Sequence, residues 1–175
     1  MQGDPELRQD IDAVMAIRYP GHFAAAWEDL MKLGGHRLRI VGSDSTYNCH
    51  AHGLRIEQCQ AYQDLARDRN NQALVQGDFI THLIGLGELK IVDGQSYATD
   101  NIVIYFRCGK PTHSARVLEK DGLLLSKWGG NELLEHGLWE IPTYYGNEYK
   151  VAIAPDPKRS IELLEDWLPK ISLEQ

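Results

Sequence analysis

The sequence has few of the residues that build a disulfide scaffold or a structural zinc site. It contains three cysteines, Cys49, Cys59 and Cys108, and no two of them form a CxxC pair. An odd, small number of cysteines argues against a disulfide framework. The absence of CxxC spacing argues against a structural zinc site. We therefore expect reduced thiols and no cofactor.

The sequence also lacks a basic run and a long apolar run. Its net charge is −7, so a nucleic-acid partner has no electrostatic support. No apolar stretch approaches membrane-spanning length, so we expect no membrane partner. The polar, acidic segment from Met1 to Asp10 is unlike a signal peptide. We expect a cytoplasmic protein, one exported without a classical signal peptide, or one whose leader has been removed.

The pattern of apolar residues predicts a single α+β domain. Helical spacing dominates the first half of the chain, and strand-like runs dominate the second half. Segregated helices and strands are typical of α+β rather than alternating α/β folds. The predicted helices cover residues 5–18, 22–33, 49–67, 73–86 and 157–175. The predicted strands cover residues 38–41, 101–106, 113–118, 123–128 and 149–154, with residues 139–142 pairing at an edge.

Cys49 is the candidate nucleophile because it stands where a polar loop meets a predicted helix. A helix N-terminus and a neighbouring imidazole both favour a thiolate, so this position predicts a lowered pKa and a hyper-reactive thiol. His113 begins a predicted central strand directly after the turn at Pro111. It is the candidate base, and we expect its ring within about 4 Å of the Cys49 sulfur.

A third group usually orients the catalytic imidazole, and here the sequence leaves alternatives open. If residues 113–118 and 123–128 form a hairpin through the turn at residues 119–122, Ser126 lies near the level of His113. His136 and Asn131 follow on a predicted loop and can also reach. Strand register favours Ser126, whereas chemistry favours His136.

Several short motifs together resemble the NlpC and CHAP branch of papain-like cysteine enzymes. They are Tyr47-Asn48-Cys49-His50, then the segment from Asp100 to Phe106, then Thr112-His113-Ser114-Ala115-Arg116-Val117, and then Ser126-Lys127-Trp128-Gly129. The resemblance covers residues 46–154. Residues 1–36 then form a helical N-terminal extension, and residues 157–175 form a C-terminal helix.

The resemblance implies a papain-like core in which a nucleophile helix packs on an antiparallel sheet. It implies that Cys49 is the nucleophile, that His113 is the base, and that Ser126 lies near the third polar position. Serine departs from the residues that the family more often has there, which makes His136 a second candidate. The implied substrates are peptides, peptidoglycan stems or protein side-chain amides, and a protein partner is also compatible.

Two rival functions are compatible with the same residues. Acyl transfer uses the same machinery as hydrolysis, and the fold could instead serve as a non-catalytic binding module. A zinc-dependent hydrolase is a third hypothesis, because Cys49, His50 and His52 are all good zinc ligands. On a helix, Cys49 and His52 share a face and His50 does not.

Overall fold

The computed structural model contains a seven-stranded antiparallel sheet with helices on both faces. It describes residues 5–18, 23–68, 75–92, 97–99, 101–118, 122–128 and 132–171. The strands lie in the order β1-β6-β5-β4-β3-β7-β2. The helices are α1 (Pro5–Arg18), α2 (Phe23–Lys32), α3 (Cys49–Gly53), α4 (Gln60–Asp68), α5 (Gly77–Gly85) and α6 (Pro157–Ile171). The strands are β1 (Arg39–Ser43), β2 (Lys90–Val92), β3 (Ile102–Arg107), β4 (Lys110–Val117), β5 (Leu124–Trp128), β6 (Glu132–His136) and β7 (Glu148–Ile153).

The central strands β3 and β4 are buried on both faces, and their alternating side chains enter two separate cores. Ile102 and Ile104 pack with residues of α3, α4, α5 and α6 in the first core. Val103 and Tyr105 pack in the second core, with residues of α1, α2 and the loop that follows β6. Because successive side chains of a strand point to opposite faces, each β4 position belongs to one side only.

The N-terminal helix α1 is tied to the sheet by polar contacts. The Arg8 guanidinium donates to the carbonyl oxygen of Ile141 at 3.1 Å and also bonds the Gly146 carbonyl. The Asp12 carboxylate accepts from the Thr143 N–H at 2.7 Å. Helix α1, which we expected to belong to an N-terminal extension, therefore covers one face of the sheet. No helix in the described parts of the chain combines the length and apolarity that a membrane crossing requires.

The predicted α+β class and most predicted elements match the structure, with four differences. The helix predicted from Cys49 to residue 67 is two helices, because Arg55 adopts a left-handed conformation with φ 60°. The edge strand β2 was not predicted, and residues 139–142 form a turn instead of an edge strand. Strand β6 lies where a loop was expected, because its sequence Glu-Leu-Leu-Glu-His does not alternate apolar and polar residues and so gives a weak strand signal.

Part of the predicted pattern falls on residues that the structure does not describe. The hairpin turn at residues 119–121, the break at residues 129–131 and the start of the helix predicted at residue 73 lie outside the described residues. The described part of that helix begins at Gly77.

Candidate functional site

Cys49 is the first residue of α3, so its predicted loop-to-helix position is confirmed. Asn48 caps the helix: its side-chain oxygen accepts from the Ala51 N–H at 3.0 Å. The Asn48 amide group also donates to the Val75 carbonyl oxygen at 2.7 Å. These two bonds fix the start of α3, and with it the backbone position of Cys49.

The Cys49 sulfur lies at a gap in the sheet between β4 and β5. The pairing of these strands ends at Ala115 and Ser126, although β4 begins at Lys110 and β5 continues to Trp128. Val117 donates its N–H toward β3, so the even-numbered N–H groups of β4 point toward β5. The Ser114 N–H is therefore directed into the gap, and the Cys49 sulfur accepts its hydrogen bond.

The predicted lowering of the Cys49 pKa is wrong. Burial raises the pKa of the Cys49 thiol to about 11. The N–H groups of Ser114, His50 and Cys49 itself and the Lys127 ammonium act in the opposite direction without overcoming burial. The helix behind the thiol has only five residues, so its dipole is small. The resting sulfur is a neutral thiol.

His113, Ser126 and His136 form a buried hydrogen-bonded chain on the other side of β4. His113 Nε2 lies 3.0 Å from Ser126 Oγ, and His136 Nε2 lies 2.7 Å from the same oxygen. Trp128 Nε1 donates to Ser126 Oγ at 2.9 Å. The structure thus brings together three of the four candidate site residues, with Ser126 as the direct neighbour of His113. Asn131 lies outside the described residues.

The contacts of His136 determine where the protons of this chain reside. Its Nδ1 lies 2.8 Å from the Gly137 carbonyl oxygen, which can only accept, so Nδ1 carries the proton. Burial lowers the pKa of His136 to about 4, so the ring is neutral and Nε2 holds a lone pair. Ser126 must donate its single proton to that nitrogen. The Ser126 oxygen then accepts from Trp128 and from His113 Nε2–H.

This assignment leaves the lone pair of His113 on Nδ1. That nitrogen is buried and has no hydrogen-bond partner among the described residues. The His113 ring stacks on Tyr145 with centroids 3.9 Å apart. Burial, followed by the neighbouring His136, His50 and His52, lowers the pKa of His113 well below its ordinary value. His113 is therefore a neutral base held in one tautomer.

Among the described residues, no hydrogen bond joins Cys49 to His113. The Cys49 sulfur bonds the Ser114 N–H, whereas Nε2 of His113 bonds Ser126 and Nδ1 has no partner in the described part of the chain. The reason is strand alternation: α3 packs on the face of β4 that carries Ser114, and the His113 ring points to the opposite face with Ala115. The peptide that joins His113 to Ser114 carries the N–H that bonds the Cys49 sulfur.

A second polar cluster surrounds α3, and the sequence analysis assigned a role to only one of its members, His52, as a candidate zinc ligand. His52 Nδ1 lies 3.2 Å from the Glu57 carboxylate, and Arg116 bonds the same carboxylate. Arg116 also donates to the His52 carbonyl oxygen at 2.6 Å, at the end of α3. The signal that could have found Arg116 is its place in β4, because strand alternation puts it on the same face as Ser114.

Lys127 and Tyr47 complete this cluster beside Cys49. The Lys127 ammonium lies 4.8 Å from the centre of the Tyr47 ring and bonds the Asp44 carbonyl oxygen. The Tyr47 ring also stacks on His52, with the two ring centroids 5.9 Å apart. Burial lowers the pKa of Lys127, while Asp44, Glu132 and Cys49 act to raise it.

The geometry of the described part of the chain does not support the hypothesis of a zinc site. No group of three or more His, Cys, Asp or Glu side chains there is arranged to hold a metal ion. His50 Nδ1 bonds Ser114 Oγ at 2.8 Å, and His52 faces Glu57. The side chains that were the candidate ligands thus face protein partners.

These features define an α+β protein with a helix-start thiol beside a buried, neutral imidazole network. A family model described as a domain of unknown function, DUF7689, matches residues 40–152. The match covers more than half of the chain, so the chain belongs to this family. It extends from β1 to β7 and includes Cys49, His113, Ser126 and His136, while α1, α2 and α6 lie outside it. No curated protein and no solved structure matches the chain.

Proposed function

We propose that the protein is a papain-like cysteine hydrolase that cleaves an amide or peptide bond, with Cys49 as nucleophile and His113 as base. The observation that carries this proposal is the Nδ1 lone pair of His113, which has no partner among the described residues and belongs to the residue next to Ser114, whose N–H bonds the Cys49 sulfur. A general base needs an unprotonated nitrogen near the nucleophile and a second group that fixes its tautomer. Ser126, supported by His136 and Trp128, fills that second role.

The resting pair is neutral, and this determines the order of events in the mechanism. The mechanism requires two movements: the Cys49 sulfur leaves the Ser114 N–H, and the His113 ring turns from its stack on Tyr145 so that Nδ1 meets the thiol. As sulfur attacks the carbonyl carbon, the thiol proton passes to Nδ1, and the backbone N–H groups of Ser114 and His50 are the candidate donors to the oxyanion. The imidazolium then protonates the leaving amine, and an acyl thioester remains on Cys49. Water releases the acid, and a second amine in place of water makes the reaction a transfer.

Two observations favour a second function, a non-catalytic binding module on the same fold. The raised pKa of Cys49 and the enclosed ring of His113 are both compatible with a structural site. Turnover distinguishes the two functions, because a binding module retains its peptide unchanged.

The test uses a panel of N-acylated peptide amides, with amine release and intact-protein mass as readouts. We expect an acyl adduct on Cys49 that hydroxylamine removes, and release at the buffer rate for Cys49→Ala and His113→Ala. Cys108→Ser is the matched control, because Cys108 is exposed at the turn between β3 and β4 and should retain full activity. If folded Cys49→Ala released amine as fast as the wild type, the proposal would be wrong. An enzyme that forms the acyl adduct, releases no acid in water and passes the acyl group to an added amine would be a transferase.

A further inference from the structure

A cavity of about 330 Å³ lies between the loop that precedes α3 and the helix α4. Its lining consists of Thr46, Tyr62, Gln63, Ala66 and Arg67. This volume is at the lower end of the range for small-molecule pockets. It suits a group about the size of one or two amino-acid residues rather than a long polymer segment.

The cavity is close to the candidate nucleophile. Thr46 precedes Cys49 by three residues, so their Cα atoms are at most about 11 Å apart. Tyr62 belongs to the same core as Ala51 and Leu54 of the α3 region, and Tyr47 packs against that core. A substrate whose scissile carbonyl lies at Cys49 can therefore place its neighbouring group in the cavity.

The polar groups that line the cavity differ in the hydrogen bonds that they form within the chain. The Thr46 hydroxyl and N–H both bond the Asp44 carboxylate, at 2.6 and 2.8 Å. The Gln63 amide donates to the Glu57 carbonyl oxygen at 3.3 Å. Arg67 is the cation of the lining, and Tyr62 and Ala66 supply an aromatic ring and a methyl group.

The ion pair that Arg67 forms within the chain is a weak one. Its guanidinium lies 3.2 Å from the Asp64 carboxylate, and the two side chains are 70% and 52% exposed. Exposed pairs of this kind contribute little, so a ligand carboxylate can compete for the guanidinium. A guanidinium also presents a planar fork that matches a carboxylate with two parallel hydrogen bonds.

We propose that this cavity is a substrate subsite that binds a carboxylate carried by the acyl part of the amide substrate, with Arg67 as the recognising residue. This inference rests on the proposed function, because it names the substrate class of that same site. The apolar stem of the substrate packs on Tyr62 and Ala66, and its carboxylate binds at the Arg67 end. Substrates with a neutral or cationic group at that position are bound less tightly.

The test compares three small probes by NMR titration of the full chain. They are N-acetyl-L-alanine, its neutral amide N-acetyl-L-alaninamide, and the cation N-(2-aminoethyl)acetamide. We expect the acid to bind about ten-fold more tightly than the amide, and Arg67→Gln to remove that preference. Arg159→Gln is the matched control, because Arg159 is an exposed arginine paired with Glu88 and distant in sequence from the cavity. It should keep the preference.

Three results would overturn the subsite. They are equal affinity for the acid and the amide, tighter binding of the cation, or equal loss in the Arg67→Gln and Arg159→Gln variants. Binding is measured without turnover, so the two proposals fail separately. An Arg67-dependent preference that persists in Cys49→Ala supports the subsite even where Cys49→Ala leaves amine release unchanged, a result that counts only against the hydrolase.

Discussion

The two faces of the sheet at β4 stabilise their polar groups in different ways. On the α3 face, Glu57, Arg116 and Lys127 are charged and are matched by partners. On the opposite face, His113, Ser126 and His136 are neutral, and each donor is matched to an acceptor. The α3 face is stabilised by ion pairs. The opposite face is stabilised by hydrogen bonds in which each proton lies between one donor and one acceptor.

The comparison shows why the two groups of the proposed dyad differ so much in environment. Burial acts to raise the pKa of Glu57, but its contact with His52 and the charge of Arg116 hold that pKa below its ordinary value. No such charge among the described residues compensates the imidazoles, so burial lowers the pKa values of His113 and His136. A proton that arrives on His113 therefore has to be accompanied by negative charge on the substrate or on sulfur.

The largest expected effect follows from removal of the positive charge on the α3 face. Arg116→Met leaves the Glu57 carboxylate, 5% exposed, without its cation, and we expect a loss of about 3–5 kcal/mol in the free energy of unfolding. Urea denaturation measures it. The matched control is Arg39→Met, because the Arg39–Glu135 pair at 2.7 Å has an arginine that is 69% exposed and should lose less than about 1 kcal/mol. Equal losses in the two variants would contradict the comparison.

The neutral face should be nearly as sensitive to loss of its central hydroxyl. Ser126→Ala strips a hydrogen-bond partner from His113, His136 and Trp128 at once, and we expect a loss of about 3 kcal/mol because unpaired buried groups are costly. Ser160→Ala is the control. Ser160 is equally buried, but its hydroxyl has no hydrogen-bond partner in the described part of the chain, so its removal should be almost neutral.

If Ser160→Ala lowers the free energy of unfolding as much as Ser126→Ala does, the loss comes from packing. The assignment of protons to His113, Ser126 and His136 then loses its support. The Ser126→Ala variant also bears on catalysis. An alanine at this position frees the His113 ring to change tautomer, so amine release should fall about ten-fold, or about 1.4 kcal/mol of barrier. His136→Ala should act through Ser126 and cost less than that.

Acid should destabilise the protein through its buried histidines. Burial lowers the pKa of both His50 and His136 to about 4, below the value of about 6.5 in an unfolded chain. The unfolded chain then binds more protons between pH 6.5 and 4, so stability is full above pH 6.5 and falls as pH decreases. From pH 7 to pH 5 we expect a loss of about 2 kcal/mol for each histidine. His136→Gln should reduce the slope of stability against pH by about one proton, and an unchanged slope would contradict this assignment.

The sequence predicted the strands of the site better than the orientations within it. Ser126 could be placed beside His113 because a hairpin fixes which residues oppose one another, and the structure has that contact. The separation of Cys49 from the His113 ring could not be predicted, since it depends on which face of β4 the helix α3 packs against. That choice is made by residues distant in sequence, such as Ile102 and Ser114, which lie close under Gly53.

The charged cluster was missed for a similar reason. Glu57 and Arg116 are 59 residues apart and share no motif, so only the tertiary fold brings them together. The pKa of Cys49 was predicted in the wrong direction because a sequence shows the helix start and does not show the degree of burial. Local patterns thus predicted elements, pairings and the buried nature of the strands. They did not predict the electrostatic environment, which depends on long-range packing.

The smallest effect concerns the Cys49 thiol at alkaline pH. Its folded pKa of about 11 is higher than the value of about 8.5 in an unfolded chain, so the unfolded chain loses this proton first. Stability from this thiol is full below pH 8.5 and is lost as pH rises toward 11, by up to about 1.4 kcal/mol per pH unit. At pH 9.5 the wild type should therefore have lost about 1.4 kcal/mol more than Cys49→Ser, whose hydroxyl does not titrate there. Cys59 and Cys108 are present in both proteins, so their contributions cancel in the difference.

Thiolate absorbance near 240 nm gives an independent readout, with one thiolate that appears in the wild type near pH 11 and is absent from Cys49→Ser. Thiolate formation at Cys49 near pH 7 would mean that the resting sulfur is already charged, and the neutral pair from which we derive the mechanism would then be wrong.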